Sequence, residues 1–132
     1  MAEVLIDTSA VYALLDRSDR NHTAAVGCLR ALRDARDDVM LTNLLVAESH
    51  ALILVRLGSA LARRWLLGLS WPVERATLDD ERRARDIIDQ WADKEFSYTD
   101  AVSFAVMERR RIRSALAFDR HFEQFGWHLF RT

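Results

Sequence analysis

Short, wholly apolar runs alternate along this chain with stretches of helical period, and almost nothing interrupts the alternation. Val4-Leu5-Ile6, Val39-Met40-Leu41 and Ala115-Leu116-Ala117-Phe118 are too short for buried helices and lack the polar alternation of half-exposed antiparallel strands. They read as strands covered on both faces. Helices between such strands imply parallel pairing through right-handed crossovers. One Pro and four Gly in 132 residues leave little room for irregular loops, and there is no linker, repeat or low-complexity tract, so 1–132 reads as a single domain. The expected fold is α/β: a three-layer α/β/α sandwich around a central, mainly parallel sheet of four or five strands.

The expected elements follow in order. Val4–Ile6 is a strand and Thr8 to Leu15 a helix. Asn21-His22 opens a second helix through about Ala35, with Ala25, Leu29 and Leu32 as its inner stripe. After the strand Val39–Leu41, Thr42 or Asn43 caps a helix to about Leu57, Gly58 stops it, and Ser59 caps another to Leu69. Trp71 to Arg75 is a peripheral strand, because Pro72 cannot donate to a ladder. Thr77 opens a helix with Leu78, Ala84, Ile87, Ile88 and Trp91 inward, and Ser97 to about Arg110 is the next. Ser114–Phe118 and Trp127–Phe130 are the last strands, with a helix between them.

Several classes of function are excluded by composition. Cys28 is the only cysteine and sits in a helical pattern, which rules out an internal disulfide framework and a Cys-rich zinc site. The first residues carry neither a basic stretch nor a long apolar one, so no signal peptide and a cytoplasmic protein are expected. No run of about 18 residues is apolar and charge-free enough to span a bilayer. Leu44 to Leu57 comes nearest, and Glu48, His50 and Arg56 break it. A net charge of −1 makes the whole molecule no magnet for nucleic acid. Every basic residue but Lys94 is Arg, a bias that suits phosphate contact but also follows from genome base composition.

Four acidic residues stand out. Asp7 and Asp119 each follow an apolar run, which places them at the carboxyl edge of the sheet, where open parallel sheets bind ligands. Both have an ordinary reading as helix N-caps, and Ser97-Tyr98-Thr99-Asp100 matches a capping box. Capping and ligation are compatible, since a helix N-terminus stabilises the carboxylate that holds an ion. Glu48 lies among Leu44, Leu45, Ala51 and Leu52, with Val46, Ile53 and Leu57 opposite, so burial is expected. It has no cation at i±3 or i±4, and a buried carboxylate is costly unless paired or bound to metal. Carboxylates gathered without Lys or His repel one another, and a hard divalent cation such as Mg²⁺ relieves that repulsion. The chain therefore reads as a metal-dependent hydrolase. Thr8, Ser9, Thr99 and Ser103 accompany the acids as hydroxyls that orient carboxylates or cap helices. His22, His50, His121 and His128 show no metal-ligand spacing and read as surface or packing residues. There is no Gly-rich phosphate loop, no Ser in a nucleophile elbow, and no second Asp two residues after Asp7 as a receiver-like site needs.

Leu5-Ile6-Asp7-Thr8-Ser9-Ala10, Thr42 to His50, Phe96 to Phe104 and Ala117 to Phe122 resemble the corresponding motifs of PIN-domain nucleases, specifically VapC-type toxins of bacterial toxin–antitoxin pairs. The pair Ser-Tyr-Thr-Asp-Ala and Phe-Asp-Arg-His-Phe carries most of the likeness, which runs over essentially the whole chain. The resemblance implies that Asp7, Glu48, Asp100 and Asp119 surround Mg²⁺ or Mn²⁺, with Asp7 and Asp100 as direct ligands. It implies endonucleolytic cleavage of RNA leaving a 5′-phosphate, a cognate antitoxin, and a homodimer, for which Leu44 to Leu69 offers apolar surface. The runs Arg63-Arg64 and Arg109 to Arg113, with Arg120, hold the RNA backbone or are solvated helix faces. Two other readings share these residues: a non-catalytic acidic pocket that grips an arginine of a partner, and a housekeeping RNA-processing nuclease.

Overall fold

A computed structural model describes residues 2–132. The chain order is β1 (Glu3–Ile6), α1 (Thr8–Leu15), α2 (His22–Asp34), β2 (Asp38–Thr42), α3 (Asn43–Leu57), α4 (Ser59–Leu67), β3 (Val73–Glu74), α5 (Leu78–Gln90), α6 (Tyr98–Arg110), β4 (Ser114–Leu116), α7 (His121–Phe125) and β5 (His128–Leu129). The strands form one sheet in the order β3-β2-β1-β4-β5, and every neighbouring pair is parallel. From β1 the chain steps outward to β2 and β3, then returns through α5 and α6 to β4 on the other side of β1. Right-handed crossovers that reverse direction in this way put helices on both faces, giving the α/β/α sandwich. The reversal also leaves a crevice beyond the carboxyl ends of β1 and β4, because the chain leaves those two strands in opposite directions.

Burial explains the elements. Val4, Leu5 and Ile6 of β1, Met40 and Leu41 of β2, and Ala115 and Leu116 of β4 are all buried, as strands covered on both faces require. Asp100 through Met107 in α6 are likewise buried, the longest unbroken buried run among the described helices. Gly58, at φ +95°, lets α3 turn directly into α4, a conformation an L side chain would strain.

The elements match the sequence reading closely, with local corrections. β4 ends at Leu116 rather than Phe118, because the Phe118 N–H is taken by Ser9 Oγ and the Ala117 carbonyl by Arg131. α4 ends at Leu67, and β5 is only His128–Leu129. In α5 the inner stripe is Asp80, Ala84 and Ile87, and Leu78 points outward at 63% exposure, as does Ile88. The phase is set by a polar anchor: Thr77 and Asp80 form a capping box, and Arg109 Nε and Nη2 reach the two Asp80 oxygens at 3.0 and 2.9 Å. The same Nη2 donates to Glu74 Oε2 at 3.0 Å. Arg110 pairs with Glu3 at 2.8 Å and also with Glu74. The first two arginines of the 109–113 run therefore tie α6 to β1, β3 and α5 and are not available to RNA.

Burial alone would raise the Asp80 carboxyl, but Arg109 and Thr77 outweigh it and hold Asp80 below the usual carboxylate range. The stabilisation from this pair is complete above the ordinary value and is lost as pH falls through the lowered one. Arg109→Leu leaves a buried carboxylate without its guanidinium and should cost about 1–3 kcal/mol near neutral pH. Melting temperatures of wild type and Arg109→Leu, measured across pH, should converge under strongly acid conditions. A constant gap would show that the pair is not what holds α5 to α6.

Candidate active site

Parallel pairing brings Ile6 of β1 opposite Leu116 of β4, and the Asp7 N–H continues the ladder to the Leu116 carbonyl at 3.0 Å. Asp7 is thus fixed at the mouth of the crevice by main-chain bonds alone. It also caps α1: Oδ2 accepts from the Ser9 N–H at 3.2 Å and from Ser9 Oγ at 2.7 Å. Ser9 Oγ in turn accepts the Phe118 N–H at 2.9 Å, so one hydroxyl joins Asp7 to the loop that carries Asp119. On the other side of that loop, Arg131 Nη2 donates to the Ala117 carbonyl at 2.7 Å, and the guanidinium lies 4.6 Å from the centre of the Phe118 ring.

Asp100 arrives from α6. Its N–H donates to Ser97 Oγ and the Ser97 N–H donates to Asp100 Oδ2, both at 3.0 Å, which makes the expected capping box. His121 Nδ1 lies 2.7 Å from the same Oδ2, and the His121 N–H donates to Asp119 Oδ1 at 3.0 Å. Ligand atoms of Asp100, Asp119 and His121 all lie within 4.8 Å of one another.

A pattern runs through the three aspartates. Each commits one oxygen to donors: Oδ2 of Asp7, Oδ2 of Asp100 and Oδ1 of Asp119. Among the described residues, the second oxygen of each accepts no hydrogen bond. No Arg or Lys pairs with Asp7, Glu48, Asp100 or Asp119 among the described residues either. Burial pushes the Asp7 carboxyl well above the usual range, and the charges of Asp119 and Asp100 push the same way against the Ser9 hydrogen bonds. Among the described residues, Asp7 and Glu48 lie outside the 4.8 Å group of Asp100, Asp119 and His121. The Asp7 carboxyl stands beside it, near enough to feel the charges of Asp119 and Asp100, and a divalent cation, which takes oxygen ligands, relieves repulsion of this kind.

Other expected members of the site are placed differently. Glu48 is half-buried rather than buried: the inner stripe of α3 is Leu45, Ser49 and Ile53, and Glu48 sits one residue off it with no hydrogen bond or ion pair among the described residues. Exposure explains how it does without a counter-ion. Of the four accompanying hydroxyls, Ser9 alone donates to a carboxylate. Thr8 Oγ1 meets Ser49 Oγ at 3.1 Å and pins α1 to α3 beside Glu48, while Ser103 Oγ donates to the Thr99 carbonyl at 2.9 Å. The Thr99 hydroxyl makes no bond to an acid among the described residues. His121, expected as a surface or packing residue, instead stands against Asp100 and Asp119. The signal was the Asp119-Arg120-His121 spacing, since an Asp that accepts the N–H two residues on turns the chain tightly and brings both side chains into one place.

Residues 4–127 match the PIN domain. The chain belongs to the PIN-domain family. Its relatives among PIN proteins include the 23S rRNA-specific endonuclease VapC20 of Mycobacterium tuberculosis, 31% identical over 128 residues, which are 94% of this chain and 95% of the relative. Ribonuclease VapC26 of the same organism is 28% identical over 123 residues, covering 90% and 89%. The crystal structure of Mycobacterium tuberculosis VapC20, a Sarcin-Ricin loop cleaving toxin, superposes with a TM-score of 0.84 over 98% of this chain and 99% of that one. FitAcB from Neisseria gonorrhoeae, 19% identical with a TM-score of 0.66 over 97% and 96%, shares the PIN fold. Within the family this chain is therefore of the VapC type.

Because Asp7 is held above its usual value, its ionisation opposes folding increasingly as pH rises from the ordinary carboxylate value through the raised one. Asp7→Asn keeps the acceptor and removes the charge. In chelator it should melt several degrees above wild type at neutral pH, with the gap narrowing on acidification. Equal melting temperatures at neutral pH would show that the metal-free site is not under electrostatic strain.

Proposed function

We propose that this VapC-type endoribonuclease depends on a divalent cation, Mg²⁺ or Mn²⁺, held by the free oxygens of Asp7 and Asp100, with Asp119 and Glu48 completing the pocket through water. The observation that supports this most is the set of three pinned aspartates with one open oxygen each and no Arg or Lys beside them. A bound cation lowers the pKa of a coordinated water and neutralises charge developing on the scissile phosphate. The chain's own residues do the rest. Ser9 and Ser97 hold the carboxylates in place, and Glu48 or Asp119 orients the attacking water. In-line attack leaves a 5′-phosphate and a 3′-hydroxyl. Arg120, exposed beside Asp119, is available for the RNA backbone, which makes binding salt-sensitive, whereas Arg111 and Arg113 precede β4 and lie at the opposite edge of the sheet.

The substrate we propose is a structured loop of ribosomal RNA, on the strength of the likeness to VapC20 over nearly the whole of both chains. A cognate antitoxin blocks the site in this reading, and the protein is a homodimer. Val55 at 82% and Leu67 at 72% exposure, with Leu54 and Leu66 partly exposed, leave apolar surface on α3 and α4 that a second copy would cover. No helix among the described residues is long and apolar enough to cross a membrane.

Asp100→Asn should reduce cleavage of ribosomal RNA by more than about 100-fold, beyond what loss of an outer-shell partner costs. Chelator should abolish wild-type cleavage and Mn²⁺ restore it. Mapping 5′ ends after brief induction should find 5′-phosphates clustered in 23S rRNA. Full activity of Asp100→Asn, or of wild type in excess chelator, would defeat the metal-dependent reading, and ends scattered through messenger RNA would defeat the ribosomal one. Sedimentation of wild type should give a dimer and of Val55→Asp with Leu67→Asp a monomer; an unchanged mass would place the interface elsewhere.

A further inference from the structure

We propose that His121 is a positioning residue of the metal centre: its Nδ1–H donates to Asp100 Oδ2 and holds the other Asp100 oxygen open toward the cation. This rests on the metal-dependent reading above. An ionised carboxylate only accepts hydrogen bonds, so the 2.7 Å contact requires the proton to be on Nδ1. Asp100 Oδ2 then has two donors from different parts of the fold: the Ser97 N–H at the start of its own helix, and His121 from the loop beyond β4. One donor alone would let the carboxylate swing about its bond to Cβ. Two donors converging on one oxygen fix where the other points.

His121 does the same for Asp119 through its main chain, donating N–H to Asp119 Oδ1 at 3.0 Å. A single residue thus sets both carboxylates, one at the start of α6 and the other in the loop beyond β4. The imidazole is itself steadied. Phe96 meets it edge-on at 5.8 Å, and Phe96 packs edge-on against Phe104 at 5.0 Å and lies 5.9 Å from Trp91. A histidine suits the place because it supplies a directed donor without adding another negative charge. Outer-shell donors of this kind govern the affinity of a site by removing the disorder of its ligands.

Titration calorimetry of Mn²⁺ into wild type, His121→Ala, His121→Asn and His121→Gln separates the roles, with melts in chelator to confirm folding. Asn puts an N–H close to the Nδ1 position, whereas Gln puts one near Nε2. His121→Ala should weaken Mn²⁺ binding about 10–100-fold, Asn should recover most of the loss and Gln little of it. RNA cleavage by His121→Ala should fall more at limiting than at saturating Mn²⁺. Unchanged Mn²⁺ affinity in His121→Ala overturns the proposal, as does recovery by Gln equal to that by Asn. If His121→Ala does not fold, the comparison of Asn with Gln decides alone. Failure of wild type to bind Mn²⁺ would instead strike the metal-dependent reading beneath it.

Discussion

Asp7 is a buried carboxylate with like charges for neighbours and, among the described residues, no Arg or Lys paired with it. Such a residue is a liability to a folded chain, and the rest of the site is arranged to maintain it. The ladder bond to Leu116 fixes its main chain, and Ser9 and the start of α1 fix one of its oxygens. None of these interactions neutralises it. They hold it in an environment that a positive charge from outside the chain would relieve, in contrast to a structural ion pair.

Asp80 shows the contrast within the same molecule. It too is buried and stands in a capping box near a helix start, as Asp100 does. Arg109 grips both its oxygens, and its carboxyl is held below the usual range instead of above it. The same local motif therefore serves two ends. Where an arginine arrives, the capping carboxylate fastens helices together; where a histidine and another aspartate arrive, it is left able to bind a cation. The local motif is the same in the two cases, a hydroxyl residue three places before an Asp: Thr77-Leu78-Asp79-Asp80 and Ser97-Tyr98-Thr99-Asp100. What differs is the tertiary partner.

That difference marks the limit of what the sequence makes legible. Short apolar runs with helical spacers are enough to place the parallel sheet, and an acid directly after β1 is enough to place Asp7 at its carboxyl edge. The capping box of Asp100 and the N-cap at Thr42 are local and equally legible. Side-chain phase in α5 is not, because Asp80 rather than Leu78 turns inward for the sake of an arginine 29 residues away. Nor is the exposure of Glu48, since an apolar segment such as α3 can be read as buried all round while packing along one stripe only. His121 escapes for the same reason as Arg109: its role is defined by a residue on another element, and periodicity carries no information about that.

The placement of Asp119 adds a mechanical consequence. Unlike Asp7, it does not follow directly on a strand. β4 stops at Leu116, and the intervening residues are held by Ser9 on one side and Arg131 on the other. The acids therefore come from three independently anchored pieces: the end of β1, the start of α6 and the loop beyond β4. These pieces lie on either side of the point where the chain reverses its path through the sheet. A cation bound among them would add a link between the two halves of the fold beyond the β1–β4 ladder. Binding free energy spent there appears as folding stability by mass action, since an unfolded chain cannot gather the three pieces. In the proposed metal-bound state activity and stability would be aligned, where in the metal-free site they are opposed, because the charge that strains the fold would be the charge that holds the ion.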